Sequence, residues 1–216
     1  MLNITYCLRS STFHCSELFC GSSIVTTTYI IASAHCIEHI YNTSLSSSLS
    51  VCTGAYERNN PADKKKCYMA NEAYVHPMYF VDPNYDFAVI KVEEAMDVPH
   101  LTSDGYGSTD AFCLPEEDVN YSDYICRVAG FGVWERETQS TAPILQVAPM
   151  TIIPNDQCRN IYPVNDCQIC AKVNAGETVC NGDSGSPLYC FKSEGAPYHV
   201  IGAVSFGTRT CPENGV

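Results

Sequence analysis

Ser184 has the sequence context of a hydroxyl nucleophile. It lies in the segment CNGDSGSPL at residues 180–188, between glycines. Glycine lets a backbone turn sharply and aim its N–H groups outward, an arrangement that suits attack on a carbonyl carbon in acyl transfer. A Gly-Asp-Ser-Gly run also occurs by chance in turns, so this segment alone does not establish the chemistry. The hydroxyl would need a base to accept its proton.

His35 is the best candidate for that base among the six histidines. It ends the apolar run YIIASA at residues 29–34, and Cys36 follows at once, so a disulfide there would fix the ring. The competing interpretation is a buried histidine whose ring is satisfied by the backbone. The other five lack this context: His14, His39, His76, His100 and His199.

Asp86 is the candidate carboxylate that would orient such a histidine. A base of this kind needs a carboxylate to hold its tautomer and to stabilise the imidazolium that forms. Asp86 opens the apolar run FAVIKV at residues 87–92, which places it at a buried boundary. The alternative is an aspartate that makes a local turn bond at the start of a strand.

Short β-branched and aromatic runs separated by turn residues predict an all-β fold that positions these side chains. Strands are expected at 23–27, 29–32, 87–92, 145–153 and 199–206, and a single helical turn is expected near Asn155, with its side chain as the cap. Periodicity disappears between Val92 and Cys113, so we expect an N-terminal half, 1–104, and a C-terminal half, 105–216. Each would form a six-stranded antiparallel β-barrel, with the site in the cleft between them.

Charge and cysteine content restrict the function classes. The formal net charge of −12 argues against nucleic-acid or anionic-membrane partners, and no apolar run is long enough to cross a bilayer. Fourteen cysteines fit an oxidising, extracellular compartment. The CxxC pair Cys167 and Cys170 lacks a second ligand pair for zinc. Sequence patterns for N-glycosylation occur at Asn3, Asn42 and Asn120.

Taken in order, these segments resemble the chymotrypsin/trypsin family of serine peptidases over nearly the whole chain. Matching stretches include FCGSS at 19–23, AHC at 34–36, DFAVIK at 86–91 and VSFG at 204–207, besides the Ser184 segment. The resemblance implies a triad of Ser184, His35 and Asp86, and an oxyanion hole made of the N–H groups of Gly182 and Ser184. It also implies that Ser205 supports Asp86 and that residues 205–207 pair with substrate backbone.

The resemblance further implies four disulfides: Cys20–Cys36, Cys126–Cys190, Cys158–Cys170 and Cys180–Cys211. From the sequence itself, Cys7 with Cys15 and Cys52 with Cys67 are plausible local pairs. In relatives, the position of Cys113 often ties to a segment that precedes the catalytic domain. Cys167 has no obvious partner. No metal or other cofactor is expected, and the loop at 53–71 lacks the carboxylate arrangement that calcium-binding relatives use there.

Substrate preference follows from the same resemblance. Thr178 falls where trypsin-like members carry an aspartate, so cleavage after Lys or Arg is disfavoured. Gly207 and Gly215 fit small wall positions that leave the primary pocket open, which suggests apolar or aromatic residues before the cut. Phe206 replaces a usual tryptophan and Ser186 replaces a usual glycine.

The ends of the chain depart from the family pattern. An Ile-Val-Gly-Gly-type start and the last strand and helix of the family are not found, so we expect a fragment whose oxyanion hole is unformed on its own. The expected function is a secreted, monomeric serine endopeptidase made as a zymogen, with a polypeptide substrate, an activating protease and protein inhibitors as partners. The alternative is an inactive protease homologue that binds or regulates partners. A disulfide-rich structural module would explain the cysteines but not three ordered segments.

Overall fold

A computed structural model describes most of the chain, at residues 4–8, 20–38, 49–58, 65–98, 109–135, 137–173 and 179–207; of 4–8, only the backbone is described. Thirteen strands lie in these ranges. In chain order they are β1 (Ile4–Leu8), β2 (Ser23–Ile24), β3 (Tyr29–Ala32), β4 (Leu49–Thr53), β5 (Lys66–Val75), β6 (Ala88–Val92), β7 (Ile125–Gly130), β8 (Val133–Glu135), β9 (Ser140–Thr141), β10 (Gln146–Ile153), β11 (Cys170–Val173), β12 (Pro187–Phe191) and β13 (His199–Ala203). The helical elements in them are α1 (Asn155–Cys158) and the 3₁₀ turns Ala34–Cys36 and Tyr121–Asp123.

The strands form two curled antiparallel sheets, which confirms the all-β prediction. The first sheet has six strands in the order β1-β4-β5-β6-β3-β2. The second has five in the described part of the chain, in the order β11-β10-β7-β12-β13, one fewer than the barrel expected from sequence. A small hairpin joins β8 to β9. Because residues 99–108 lie outside the described ranges, the boundary at 104/105 stays a prediction.

Two apolar cores hold the sheets together. In β6 the buried positions alternate, at Ala88, Ile90 and Val92, as expected of a strand with one face inward. They pack in the core of the first sheet. A second core contains Ile31 of β3 together with Phe131 and other residues of the C-terminal half, so it joins the two halves beneath the space between them.

Two local predictions were wrong in detail. The strand expected at 23–27 ends at Ile24, because the Thr26 hydroxyl accepts hydrogen bonds from the N–H groups of Thr28 and Tyr29 and closes a turn. The expected helical turn exists as α1, but Pro154 occupies the N-cap position. The Asn155 side chain instead donates to the carbonyl oxygens of residues 165 and 168.

Other strand ends differ by a few residues. The runs expected at 87–92 and 145–153 begin one residue later, at Ala88 and Gln146. The strand expected at 199–206 ends at Ala203. No helix within the described ranges has both the length and the apolar composition that crossing a membrane requires.

Four disulfides join described residues and confirm four of the predicted pairs. They are Cys20–Cys36, Cys52–Cys67, Cys126–Cys190 and Cys158–Cys170. Cys180 is also disulfide-bonded, and its predicted partner Cys211 lies outside the described residues. The side chains of Cys7 and Cys15 lie outside them too. Cys113 and Cys167 are exposed free cysteines.

Replacing Cys126 and Cys190 together with alanine is expected to lower the free energy of unfolding by about 2–4 kcal/mol. Both residues are buried, and their bond closes a loop between positions 64 residues apart. Urea unfolding of the full chain measures the effect. Cys167→Ser, which changes an exposed free cysteine, serves as the control and should alter stability by less than about 0.5 kcal/mol. Equal losses in the two proteins would contradict the prediction.

Candidate active site

Asp86 and His35 form a close pair. Asp86 precedes β6, and His35 lies in the 3₁₀ turn after β3, next to the Cys20–Cys36 disulfide that fixes this turn. His35 Nδ1 lies 2.6 Å from Asp86 Oδ2, and the His35 backbone N–H donates to Asp86 Oδ1 at 2.9 Å. The carboxylate of Asp86 therefore accepts hydrogen bonds from both the ring and the backbone of His35. With the Nδ1 proton donated to Asp86, Nε2 is left as the basic nitrogen.

His35 and Asp86 each shift the pKa of the other. The hydrogen bond that His35 donates to Asp86 raises the pKa of His35 above 6.5, against an opposing effect of burial. Burial works to raise the pKa of Asp86, but hydrogen bonds from His35 and Ser205 outweigh it and leave that pKa below 3.8. Asp86 therefore stays ionised and favours the imidazolium form of its neighbour, which is the electrostatic arrangement a general base needs.

Glu38 is a second carboxylate that acts on His35 and that sequence reasoning missed. Tyr79 donates its hydroxyl hydrogen to Glu38 Oε2 at 2.5 Å, which holds the carboxylate in place. The negative charge of Glu38 adds to the raised pKa of His35. Its position three residues after His35 was the available signal, since this spacing keeps the two residues in one turn of chain.

Replacing Glu38 with glutamine is expected to lower the pKa of His35 by a fraction of a pH unit, since a nearby negative charge favours the imidazolium. NMR titration of the His35 ring protons measures the shift. Glu72→Gln is the matched control, because Glu72 pairs with Lys91 and makes no contribution to the pKa of His35. The same His35 pKa in wild-type and Glu38→Gln protein would contradict the expectation.

The segment after β13 connects the pair to Ser184. Ser205 Oγ donates to Asp86 Oδ2 at 2.5 Å, as the resemblance implied. The preceding carbonyl, that of Val204, accepts from Ser33 Oγ at 2.8 Å and from the N–H of Gly185 at 2.7 Å. Ser33 lies two residues before His35 and Gly185 directly follows Ser184. Hydrogen bonds to residues 204 and 205 thus bring all three segments together.

Ser184 itself lies in a tight turn. Gly182 and Gly185 have φ angles of +93° and +76°, a region that disfavours any side chain, and the Ser184 carbonyl accepts from the N–H of Gly21 at 2.6 Å. Within the described part of the chain, no hydrogen bond engages the N–H of Gly182 or Ser184, and none joins Ser184 to His35. These two N–H groups are therefore unpaired among the described residues, and their role as an oxyanion hole stays a prediction.

Asp183 lies beside this turn as a buried carboxylate. Its Oδ1 accepts from the N–H of Gly132 and its Oδ2 from the N–H of Cys180, each at 2.9 Å. Burial raises the pKa of Asp183 above 3.8, and the two backbone hydrogen bonds oppose that shift. No ion pair to Asp183 occurs among the described residues.

A cavity of about 460 Å³ is lined by Asp86, whereas His35 and Ser184 are not among its described lining residues. Ser205, Phe206 and Gly207 line it, and a methyl group on Gly207 would lie 3.7 Å from Val179 Cγ2. Among its described lining residues the only carboxylate is that of Asp86, which is already paired with His35. The other two predicted pocket residues, Thr178 and Gly215, lie outside the described residues.

One cluster has the composition of a metal site but not its chemistry. Cys20, His35 and Cys36 lie close enough to share an ion. Both sulfurs belong to one disulfide and are not thiolates, so the cluster offers a metal only the His35 ring.

Comparison with known proteins agrees with this geometry. The profile of the family described as Trypsin matches residues 7–216. Chymotrypsin-C of Mus musculus is 31% identical over 202 residues, which cover 89% of this chain and 69% of that protein. Ovochymase of Halocynthia roretzi is 29% identical over 199 residues and serine proteinase stubble of Drosophila melanogaster 26% over 207; they match 89% and 90% of this chain. The chain spans only 12% of that ovochymase and 24% of stubble. With the family profile matched over nearly its whole length, the chain belongs to the trypsin family of serine peptidases.

Proposed function

We propose that the protein is an active serine endopeptidase, with Ser184 as nucleophile, His35 as general base and acid, and Asp86 as the group that orients His35. The observation that carries this proposal is the hydrogen-bonded series Ser205–Asp86–His35. It is joined to the Ser184 turn through Val204, whose carbonyl accepts from the N–H of Gly185. The whole protein's substrates and partners are part of the same proposal, because the chain spans only a fraction of two of its relatives.

The proposed reaction proceeds through an acyl-enzyme. Ser184 Oγ bonds to the carbonyl carbon of the substrate while its proton moves to His35 Nε2, and the N–H groups of Gly182 and Ser184 stabilise the oxyanion. His35 then gives the proton to the leaving amine as the carbon–nitrogen bond breaks. A water molecule, deprotonated by His35, then attacks the acyl carbon. The bond from that carbon to Ser184 Oγ breaks, His35 returns the proton to this oxygen, and the acid product leaves. His35 keeps its Nδ1 proton throughout and donates it in a hydrogen bond to Asp86, which stays ionised.

Activation by proteolysis is the second part of the proposal. Asp183 is a buried carboxylate whose described partners are neutral N–H groups. An unpaired buried charge is unfavourable, so a cation is expected to complete this site. In the family that the chain resembles, the freed amine of a new N-terminus pairs with the carboxylate at this position. We propose that an activating protease frees such an ammonium group here and that it fixes the adjoining oxyanion hole.

Cleavage after apolar or aromatic residues is the proposed specificity. Thr178 in the sequence and the largely apolar cavity beside Phe206 support it, because a Lys or Arg side chain would find no free carboxylate among the described lining residues. Profiling of the activated protein against a peptide library tests it. Preferred cleavage after Phe, Tyr or Leu is expected, whereas a preference for Lys or Arg would contradict the proposed pocket.

Secretion as a glycosylated monomer completes the proposal, with protein inhibitors among its partners and neither nucleic acid nor membrane. The four disulfides favour an oxidising compartment. Of the three glycosylation patterns, the one at Asn120 lies in the described part of the chain. Asn120 and Ser122 are exposed, and Asn120 Oδ1 accepts from the Ser122 N–H at 3.0 Å. A mobility shift on enzymatic deglycosylation, absent in Asn120→Gln, would support this site.

Fluorophosphonate labelling of the full-length, proteolytically activated protein tests the central proposal, with denatured protein as control. An assembled triad should direct the probe to Ser184, and mass spectrometry of the peptide that carries it identifies the site. If the activated, disulfide-bonded protein stays unlabelled, the inactive-homologue alternative replaces the peptidase. The lack of a Ser184–His35 hydrogen bond among the described contacts is the observation that favours this alternative.

A further inference from the structure

Ser186 carries a buried hydroxyl without a hydrogen-bond partner among the described residues. The residue is only 1% exposed. Buried polar atoms in folded proteins are nearly always paired, so an unpaired one calls for a specific explanation. A hydrogen-bond partner for the Ser186 hydroxyl has to come within bonding distance of its oxygen.

The Ser186 hydroxyl lies beside the Asp183 carboxylate. A methyl group on Gly130 would lie 2.1 Å from Asp183 Oδ1 and 2.9 Å from Ser186 Oγ, so both oxygens crowd the same point of the backbone. A methyl group on Gly21 would lie 2.2 Å from the same hydroxyl. The backbone N–H of Ser186 donates to the Asp183 carbonyl at 2.9 Å, which closes the turn that carries both side chains.

The two side chains lack complementary partners. Asp183 receives hydrogen bonds from two neutral backbone N–H groups, and no charged or titratable side chain among the described residues contributes to its environment. The Ser186 hydroxyl has no hydrogen-bond partner in the same described ranges. One incoming group with a positive charge and more than one N–H donor would satisfy both oxygens, and a primary ammonium has three donors in a compact volume.

We propose that Ser186 Oγ is a second oxygen ligand, beside Asp183, for the ammonium group that completes this site, and hence a positioning residue for the oxyanion hole. The inference rests on the proposed activation of the protein. It assigns to Ser186 a share in holding the ammonium in its charged form, since a hydrogen bond to the charged form of a group favours that form.

The pH dependence of kcat/KM in the full-length, activated protein tests this role, with a chromogenic peptide substrate. A wild-type alkaline limb should report loss of the ammonium proton, at a pH above the range of a free α-amino group, about 7.7–8.0. Ser186→Ala and Ser186→Gly are each expected to move this limb about one pH unit lower, a tenfold weaker hold on the proton. The acid limb, set by His35, should stay unchanged. Ser23→Ala removes another buried, unpaired hydroxyl, on β2, and should move neither limb.

The outcomes separate the two proposals. An alkaline limb at the wild-type pH in both Ser186 variants, with Asp183→Asn inactive, overturns the role of Ser186 alone. A general loss of kcat without movement of that limb does so too, since it is what a merely structural role gives. Full activity of cleaved Asp183→Asn protein overturns the activation proposal, and the inference with it.

Discussion

Activated protein carrying Ser184→Ala is expected to hydrolyse a peptide substrate about 10⁶-fold more slowly than wild type. The substitution removes the only atom that forms a covalent bond to the substrate in the proposed reaction. It leaves the φ angles of Gly182 and Gly185, the Gly21 contact and the cavity in place. Substrate affinity should therefore change little. Single-turnover kinetics and equilibrium binding of an uncleaved peptide separate the two effects.

Ser193→Ala, in a turn after β12, is a suitable control for this measurement because the residue is exposed and is not among the described residues that line the cavity. It should retain wild-type kcat/KM. A Ser184→Ala protein that keeps more than about a hundredth of wild-type activity would show that another group acts as nucleophile. The proposed mechanism would then be wrong.

Asp86→Asn is expected to lower kcat by about 10⁴-fold, the loss that this change causes in a Ser-His-Asp triad. An asparagine amide can donate to His35 Nδ1, which turns the ring to the wrong tautomer and leaves Nε2 protonated. The pKa of His35, raised mainly by its hydrogen bond to Asp86, should also fall. The acid limb of the remaining activity should therefore move to lower pH.

Ser205→Ala is a milder substitution at the same site, to be compared with Asp86→Asn. It removes one hydrogen bond to Asp86 Oδ2 and keeps the carboxylate, so its effect on kcat should be far smaller. A pH–rate profile of both proteins provides the measurement. If Asp86→Asn left kcat and the acid limb as in wild type, Asp86 would be a strand-start aspartate with only a local role.

The candidate site could be predicted from sequence because each part is encoded locally. Glycines around Ser184, an apolar run ending at His35 and another starting after Asp86 are visible without any long-range contact. The hydrogen bonds that unite them are not visible. The hydrogen bond between Ser33 and Val204 links the histidine segment to the segment that follows β13. These two residues are separated by 171 residues in the sequence. Only the folded sheets bring such residues together.

The two local predictions that were wrong failed for a different reason. In each case a competing hydrogen bond outweighed a local sequence preference. Asn155 is a good N-cap residue by type, yet carbonyls ten and thirteen residues away take its amide hydrogens. Threonine favours strands, yet the Thr26 hydroxyl satisfies two nearby N–H groups and ends β2 early. Polar side chains with alternative partners are the positions where sequence patterns are least decisive.

The apolar core shared by the two halves has a mechanical consequence. Ile31 and Ala55 from the N-terminal half pack with Phe131, Leu145 and Tyr189 from the C-terminal half. Separating the halves would expose this surface to water at a cost of roughly 25 cal/mol per Å². A hinge motion is therefore unfavourable, and the halves should unfold together in one cooperative transition. Under the proposed function, the cleft between the halves should keep a nearly constant width, and we expect the substrate's own backbone to be extended and accessible before it is cut.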